Sequence, residues 1–340
     1  MQAVILVGGE GTRLRPLTLS APKQMLPIMG VAMLEGVLGQ LALHGVDEAV
    51  LSLGYLPDRF LEAYPDGQCA GVRLRYAVEP APLDTAGAVR FALEELDLQG
   101  TFIVVNGDVL TDLDVTALVA FHKSHGAEGT IALHPVDDPS RFGVVPTDAD
   151  GRVVAFVEKP LQHEAPTNLI NAGTYVLEPR FAERLVLGER VSLERVTFPD
   201  MVADRSLFAV ADDHYWLDTG TPEAFLQAHH DILSGRRSPA FVTHPITDGN
   251  YLVPGSIVEV GAKLSGTVVD ERCRVASGAL VEDSVLLPGA VIEEAATVIG
   301  SIIGPDAVVG AGAVVRPTTV LGAAARVAAH SEVIDGRVEA

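Results

Sequence analysis

Only two cysteines, Cys69 and Cys273, occur in 340 residues. So few thiols exclude a disulfide framework and fit a reducing, cytoplasmic setting, so the fold must stand on its core. Basic residues are also scarce: 24 Lys and Arg against 45 Asp and Glu leave a net charge of −21. That balance argues against nucleic acid or an anionic membrane as a partner, because both are held by basic patches. No apolar run approaches the roughly 20 residues of a membrane span, and Met1-Gln2 leads into a short strand without a basic leader. Zinc motifs of the His-Glu-x-x-His or paired Cys-x-x-Cys kind are missing. His122 and His125, at helical spacing around Lys123, are expected on a solvated face. There is no nucleophile elbow. Trp216, the only tryptophan, reads as a packing anchor.

The pattern that is present divides in two. Through about residue 230, short apolar runs alternate with helical periodicity, the signature of βαβ units around a mostly parallel sheet. Strands are expected at Val4–Val7, Ala49–Leu53, Leu74–Val78, Phe102–Val105 and Thr130–Leu133, and helices at Met33–Leu43, Pro57–Tyr64, Thr85–Leu96 and Val115–His125. Ligands of such sheets bind at the carboxyl ends of the strands, which directs attention to the loops after Val7 and Val105. The run Ser234-Gly235-Arg236-Arg237-Ser238-Pro239 breaks the pattern. The expected domains are 1–235, a linker at 236–250, and 251–340.

Beyond the break an aliphatic residue recurs from Leu252 through Val258, Leu264 and Val269 to Val333, six apart except for three steps of five. A second small or aliphatic residue follows four places after most of them, as in Ala262, Cys273, Ala279 and Ala296. A hexapeptide period with two inward positions predicts a parallel β-helix, each six-residue side stacking on the one below. Its outer faces are expected to dock on the first domain or on another copy, giving a homo-oligomer.

The chemistry is concentrated in a few segments. Gly8-Gly9-Glu10-Gly11-Thr12-Arg13 follows the first strand, where backbone N–H groups freed of a Cβ approach an anion closely. Leu14 stands where a dinucleotide fingerprint needs its third glycine, and the Gly-Lys-Ser/Thr end of a P-loop is absent. Arg13, Arg15 and Lys23 against the single acid Glu10 reverse the charge of the whole chain locally, as an anion pocket would. Read alone, Asp108 and Asp218 suit either a divalent metal or the capping of a turn or helix.

The run Gly8 to Thr18 with Pro22-Lys23 resembles the signature of sugar nucleotidyltransferases, most of all the mannose-1-phosphate guanylyltransferases. Asn106-Gly107-Asp108, Phe142-Gly143-Val144, Phe156-Val157-Glu158-Lys159-Pro160, Ile170-Asn171-Ala172-Gly173 and Trp216-Leu217-Asp218 continue that resemblance in order, and a hexapeptide-repeat tail is usual in the family. It implies an α/β, Rossmann-like nucleotidyltransferase domain followed by a left-handed parallel β-helix. By the same resemblance Gly8, Gly9, Gly11 and Thr12 cradle a triphosphate, while Arg13 and Lys23 face its transferring and leaving phosphates. Gly143, Glu158 and Asn171 hold the sugar, Lys159 its phosphate, and Asp108 and Asp218 carry Mg²⁺. Glu79 offers a carboxylate to guanine N1–H and its 2-amino group, with Asp84 as a second candidate acceptor.

Two departures from the guanylyl pattern keep a thymidylyl- or uridylyltransferase in view: Gln24 in place of proline and Asp84 in place of glycine. A hexapeptide-repeat acyltransferase would need a histidine base, and His330 is the only one after Leu252. A silent regulatory subunit would not need Arg13, Lys23, Asp108, Lys159 and Asp218 all intact.

Overall fold

The structure, a computed structural model, describes residues 1–98 and 100–340. They form two compact units that are not contiguous in sequence: Met1–Gly9 with Val37–Trp216, and Glu10–Gly36 with Leu217–Ala340.

The first unit is built on one sheet. Its strands are β1 (Gln2–Leu6), β2 (Glu48–Leu53), β3 (Gln68–Cys69), β4 (Val72–Val78), β5 (Phe102–Asn106), β6 (Gly129–Pro135), β7 (Gly143–Val144), β8 (Val157–Glu158), β9 (Leu169–Leu177) and β10 (Leu207–Ala211). They lie in the order β8-β7-β9-β5-β1-β2-β4-β3, with β6 beside β9 and β10 beside β6. β1 is central and parallel to both neighbours, pairing Leu6 with Ser52 on one side and with Asn106 on the other. β1, β2 and β5 are almost wholly buried, as parallel strands covered on both faces require, and so read as continuous apolar runs. Beyond β5 the strand β9 pairs antiparallel with all its neighbours, Tyr175 opposite Val104, while β10 runs parallel to β6. β9 was not apparent as a strand in the sequence, because Asn171-Ala172-Gly173-Thr174 interrupts its apolar pattern and its register shifts at the same place.

The helices Met33–Leu43 and Val115–His125 have the limits their periodicity implies, and Pro57–Ala63 ends one residue early. The helix Val115–His125 begins where the Asp114 carboxylate accepts from the Ala117 N–H and stops at Gly126 in the left-handed region. One expectation is corrected on it: His122 is not solvated but buried, its Nδ1 2.8 Å from Thr130 Oγ1 and its Nε2 3.0 Å from Glu178 Oε1. Burial holds its pKa below the usual histidine value. His125, one turn on, is exposed and stacks on Phe121.

In the second unit, residues 250–338 wind as a three-faced parallel β-helix, and the short strand Ile246–Thr247 pairs antiparallel with its first strand. The stacked register on one face runs Leu252, Val269, Leu286, Ile303, Leu321, Val338; on the next Val258, Val275, Ile292, Val309, Val327; on the third Leu264, Val281, Val298, Val315, Val333. The five-residue step is therefore one regular side of each coil, made longer only between Val315 and Leu321. Leu286 rather than Leu287 occupies the stacking position, although both are buried. The short side is closed by a buried column of hydroxyls, Thr267, Ser284, Ser301 and Thr319. Each satisfies backbone groups that a tight corner leaves unpaired: Thr267 Oγ1 donates to Val281 O at 3.1 Å, and Ser284 Oγ accepts from Ser301 N at 3.1 Å.

Asp270, at the corner after Val269, is almost fully buried; its Oδ1 accepts from Glu271 N, and a Cβ on Gly30 would lie 3.5 Å from it. Burial is the main cause that raises its pKa to about 6, with the Glu271 charge adding to it. The folded state thus holds this proton more tightly than the unfolded chain, so the group's contribution to stability falls as pH rises from about 4 to about 6 and stays low above that, on the order of 3 kcal/mol. Asp270→Asn keeps the acceptor and removes the charge. It should melt at a higher temperature than the parent at pH 7.5, with the difference vanishing near pH 4 in thermal denaturation.

Candidate active site

At the carboxyl ends of β1, β2 and β5 the backbone turns approach too closely for side chains. A Cβ on Gly54 would lie 2.9 Å from Gly8 O, and one on Gly107 would lie 2.6 Å from Val7 Cγ1. Gly8 and Gly9 follow β1 after Val7, and Gly107 N donates to Leu6 O at 3.0 Å, which holds Asp108 at the same end of the sheet. The third neighbour is Glu79, just past β4, whose N–H bonds Leu53 O at 2.8 Å. Its Oε1 accepts from the buried Ser52 hydroxyl at 3.0 Å and its Oε2 from Leu83 N at 3.0 Å. Asp84 follows with φ of 60°, a left-handed conformation that glycine adopts without cost, and it uses its own Oδ1 to accept from Thr85 N at 2.8 Å. That geometry explains why glycine suits the position and how aspartate is tolerated there.

A second group forms around the irregular stretch of β9. Gly173 has φ of 76°, and a Cβ there would meet Asn106 Nδ2 at 2.7 Å, so β9 arches tightly over the end of β5. Asn171 is fixed in orientation: its Nδ2 donates to Tyr175 Oη at 2.9 Å and its Oδ1 accepts from Gly173 N at 3.0 Å. The hydroxyl of Tyr175 is buried, which pushes its pKa well above the ordinary phenol range, and the negative charges of Glu194, Glu158 and Asp108 add to the effect. Asn171 thus bonds this buried hydroxyl directly, while Glu158 and Asp108 act on it through their charge. Gly143 pairs with Glu158 across β7 and β8, and Lys159, held in the left-handed region with its N–H on Phe142 O, lies 3.4 Å from Glu158 Oε1. Trp216 is an anchor: its indole N–H donates to Ala172 O at 2.9 Å and its ring stacks on His134.

Gly11, Thr12, Arg13, Lys23 and Asp218 belong to the second unit. Gly11 has φ of 60° and packs against Lys23 Cβ, and a short 3₁₀ turn over Thr12–Leu14 carries Arg13. The Arg13 guanidinium lies 4.0 Å from Asp218 Oδ2, while Asp218 Oδ1 accepts from Gly220 N at 2.9 Å. Asp218 does not cap the following helix, Pro222–Leu233; Thr221 does, accepting from Ala224 N. Gln24 is buried, and its amide oxygen meets no partner among the described residues. His330 is an exposed corner residue of the β-helix, its ring packed over Gly312.

Sequence reasoning missed Ser52, Thr85 and Glu194. Glu194 Oε2 accepts from Thr85 Oγ1 and Ser192 Oγ, both at 2.8 Å, across 109 residues of chain in the first case. No local pattern signals such a contact. Tyr175 stood within a motif, but its hydroxyl's part in orienting Asn171 needs the bulge.

An α/β sheet with glycine-lined turns at its carboxyl ends, followed by a hexapeptide β-helix, defines a nucleotidyl-transferring class, and the chain belongs to the Nucleotidyl transferase family, which matches residues 2–235. Residues 247–338 match the family described as the GMPPB C-terminal domain. Members of the class transfer the nucleotidyl group of a nucleoside triphosphate to a sugar phosphate, typically with a divalent metal. The chain is similar to the mannose-1-phosphate guanylyltransferase of Mycobacterium tuberculosis, 40% identical with 83% of each chain covered. It is also similar to mannose-1-phosphate guanylyltransferase 1 of Arabidopsis thaliana, 36% identical with 84% of this chain and 85% of that one covered. Among solved structures, HddC from Yersinia pseudotuberculosis in complex with GMP-PN shares 30% identity at a TM-score of 0.57, covering 67% of this chain and 97% of that one. No helix among the described residues is long and apolar enough to cross a membrane.

The packing at Gly220 tests the placement of Arg13. A Cβ there would come within 2.5 Å of an Arg13 guanidinium nitrogen and 2.9 Å of Asp218 Oδ1, both ends of side chains, so Gly220→Ala should fold normally while disturbing Arg13 and Asp218 together. Turnover is expected to fall by about tenfold or more, given the usual worth of a positioned charge near a reacting phosphate, with the melting temperature within a few degrees of the parent.

Proposed function

We propose that this enzyme transfers guanylyl from GTP to mannose 1-phosphate, yielding GDP-mannose and pyrophosphate. The observation that carries the base is the Glu79 carboxylate, held at both oxygens by Ser52 and Leu83 yet retaining a lone pair on each for a ligand. Two adjacent acceptors match the N1–H and 2-amino donors of guanine, and thymine and uracil present no such pair. The names of the curated relatives support the same pairing of base and sugar.

Each residue has a role in a direct in-line displacement. A sugar phosphate with second pKa near 6 is already mostly dianionic at neutral pH, so no general base is required. Its oxygen attacks the α-phosphorus of GTP, and pyrophosphate leaves. Gly8, Gly9, Gly11 and Thr12 offer backbone N–H groups to the triphosphate, and Arg13 and Lys23 offset the charge that accumulates on the transferring and leaving phosphates. Asn171, Gly143 and Glu158 hold sugar hydroxyls, and Lys159 binds the sugar's phosphate.

Asp108 and Asp218 suit Mg²⁺: both are half-buried hard-oxygen donors, and Asp218 already faces a cation in Arg13. A divalent metal bound there would help to neutralise phosphate charge. Homo-oligomer formation through the β-helix is part of the same reading.

Initial rates over a panel of triphosphates test the base. GTP should exceed dTTP and UTP in kcat/KM by up to about 10⁴-fold with mannose 1-phosphate as acceptor. Glu79→Gln should collapse that preference while the loop survives, because a glutamine can still accept from Leu83 N and donate to Ser52 Oγ. A better rate with dTTP and glucose 1-phosphate would replace guanylyl by thymidylyl transfer. Asp108→Asn and Asp218→Asn should each lower turnover by orders of magnitude and raise the Mg²⁺ concentration needed for half-maximal rate; parental behaviour at limiting Mg²⁺ in both would remove the metal assignment.

A further inference from the structure

We infer that Ser52 is a specificity-determining positioning residue, whose hydroxyl, with the Leu83 N–H, sets the plane in which the Glu79 carboxylate meets the base; this rests on the reading that Glu79 faces guanine. A glutamate past the end of a strand has three free torsions, and a single donor would leave its carboxylate free to rotate about the remaining bond. Here the two oxygens have separate donors from separate elements: Ser52 Oγ at 3.0 Å to Oε1, and Leu83 N at 3.0 Å to Oε2. Two such bonds fix the carboxylate plane, and they leave one lone pair on each oxygen directed elsewhere.

The donor on the Ser52 side is itself rigid. Ser52 is fully buried in β2, in register with Leu6 on β1 and with Ala77 on β4. Glu79 is tied to the same strand through its N–H on Leu53 O at 2.8 Å. Oε1 also lies where it would be 3.3 Å from a Cβ on Gly8, so the glycine turn after β1 leaves room for the carboxylate in this pose. A bidentate partner for two donors on one base edge discriminates only while its plane is held, since a rotated carboxylate accepts one donor and tolerates bases that offer one. Uracil and thymine each offer a single ring N–H, so a loosened Glu79 should accept them better relative to guanine.

Two variants of the full-length enzyme test this. Ser52→Ala removes the hydroxyl, and Ser52→Cys fills the same space with a poor donor. Both should lower kcat/KM for GTP on the order of tenfold, chiefly through KM, reduce the GTP to UTP ratio by a similar factor, and leave KM for mannose 1-phosphate within about twofold. The melting temperature confirms that each variant is folded. A GTP to UTP ratio at the parental value in Ser52→Ala would overturn the proposal, as would parental behaviour of Ser52→Cys beside a defective Ser52→Ala, which would assign the effect to packing. Failure of the underlying reading gives a different pattern: Glu79→Gln would then keep the parental base preference.

Discussion

Much of the first unit depends on how closely three backbone turns approach at the carboxyl ends of β1, β2 and β5. The parallel pairing of Leu6 with Ser52 and Asn106 brings the ends of these strands level. Side chains in the turns beyond would collide, and Gly8, Gly54 and Gly107 remove the collision at the points of contact. The backbone N–H groups that remain exposed form a surface suited to anions, and the polar side chains Glu79 and Asp108 stand one or two residues past strand ends that backbone hydrogen bonds tie to the sheet. Burial of three apolar strands thus fixes the position of polar groups that contribute little to stability themselves.

The arch of β9 obeys the same economy. Gly173 permits close approach to Asn106, the bulge redirects Asn171, and two hydrogen bonds settle which end of the Asn171 amide accepts. Tyr175 contributes a fully buried hydroxyl to that group, and its proton stays on because burial and the charges of three carboxylates oppose a phenolate. A neutral tyrosine can accept from Asn171 at any ordinary pH. The amide is therefore oriented in advance of any ligand, which lowers the ordering cost of binding.

In the β-helix the constraint is repetition. Each coil of 17 residues, or 18 in the one from Ile303 to Leu321, must turn three corners, and the short side leaves backbone groups that Thr267, Ser284, Ser301 and Thr319 satisfy from within. Stacked aliphatic rows fill the remaining interior. Asp270 is the exception, a carboxylate buried at a corner, and its raised pKa is the cost of that burial.

The order of elements was legible in the sequence because burial on both faces forces continuous apolar runs into β1, β2 and β5, and caps such as Asp114 and Gly126 mark helix limits locally. The hexapeptide repeat was legible for the same reason, since its inward positions are set by stacking on an identical neighbour. The glycine turn, Asp108, Glu158, Lys159, Asn171 and Asp218 could be named because they stand in short motifs. Other features depended on distant segments: the regular five-residue side needed the register of whole coils, and the burial of His122 needed Thr130 of β6 and Glu178 just past β9. The bonds that give Glu79 its pose come from Ser52, 27 residues away, and from a backbone N–H that has no side-chain signature. Residue types and local periodicity determined what groups were available; only the tertiary fold decided which of them touch, because hydrogen bonds between distant strands leave no period in the chain.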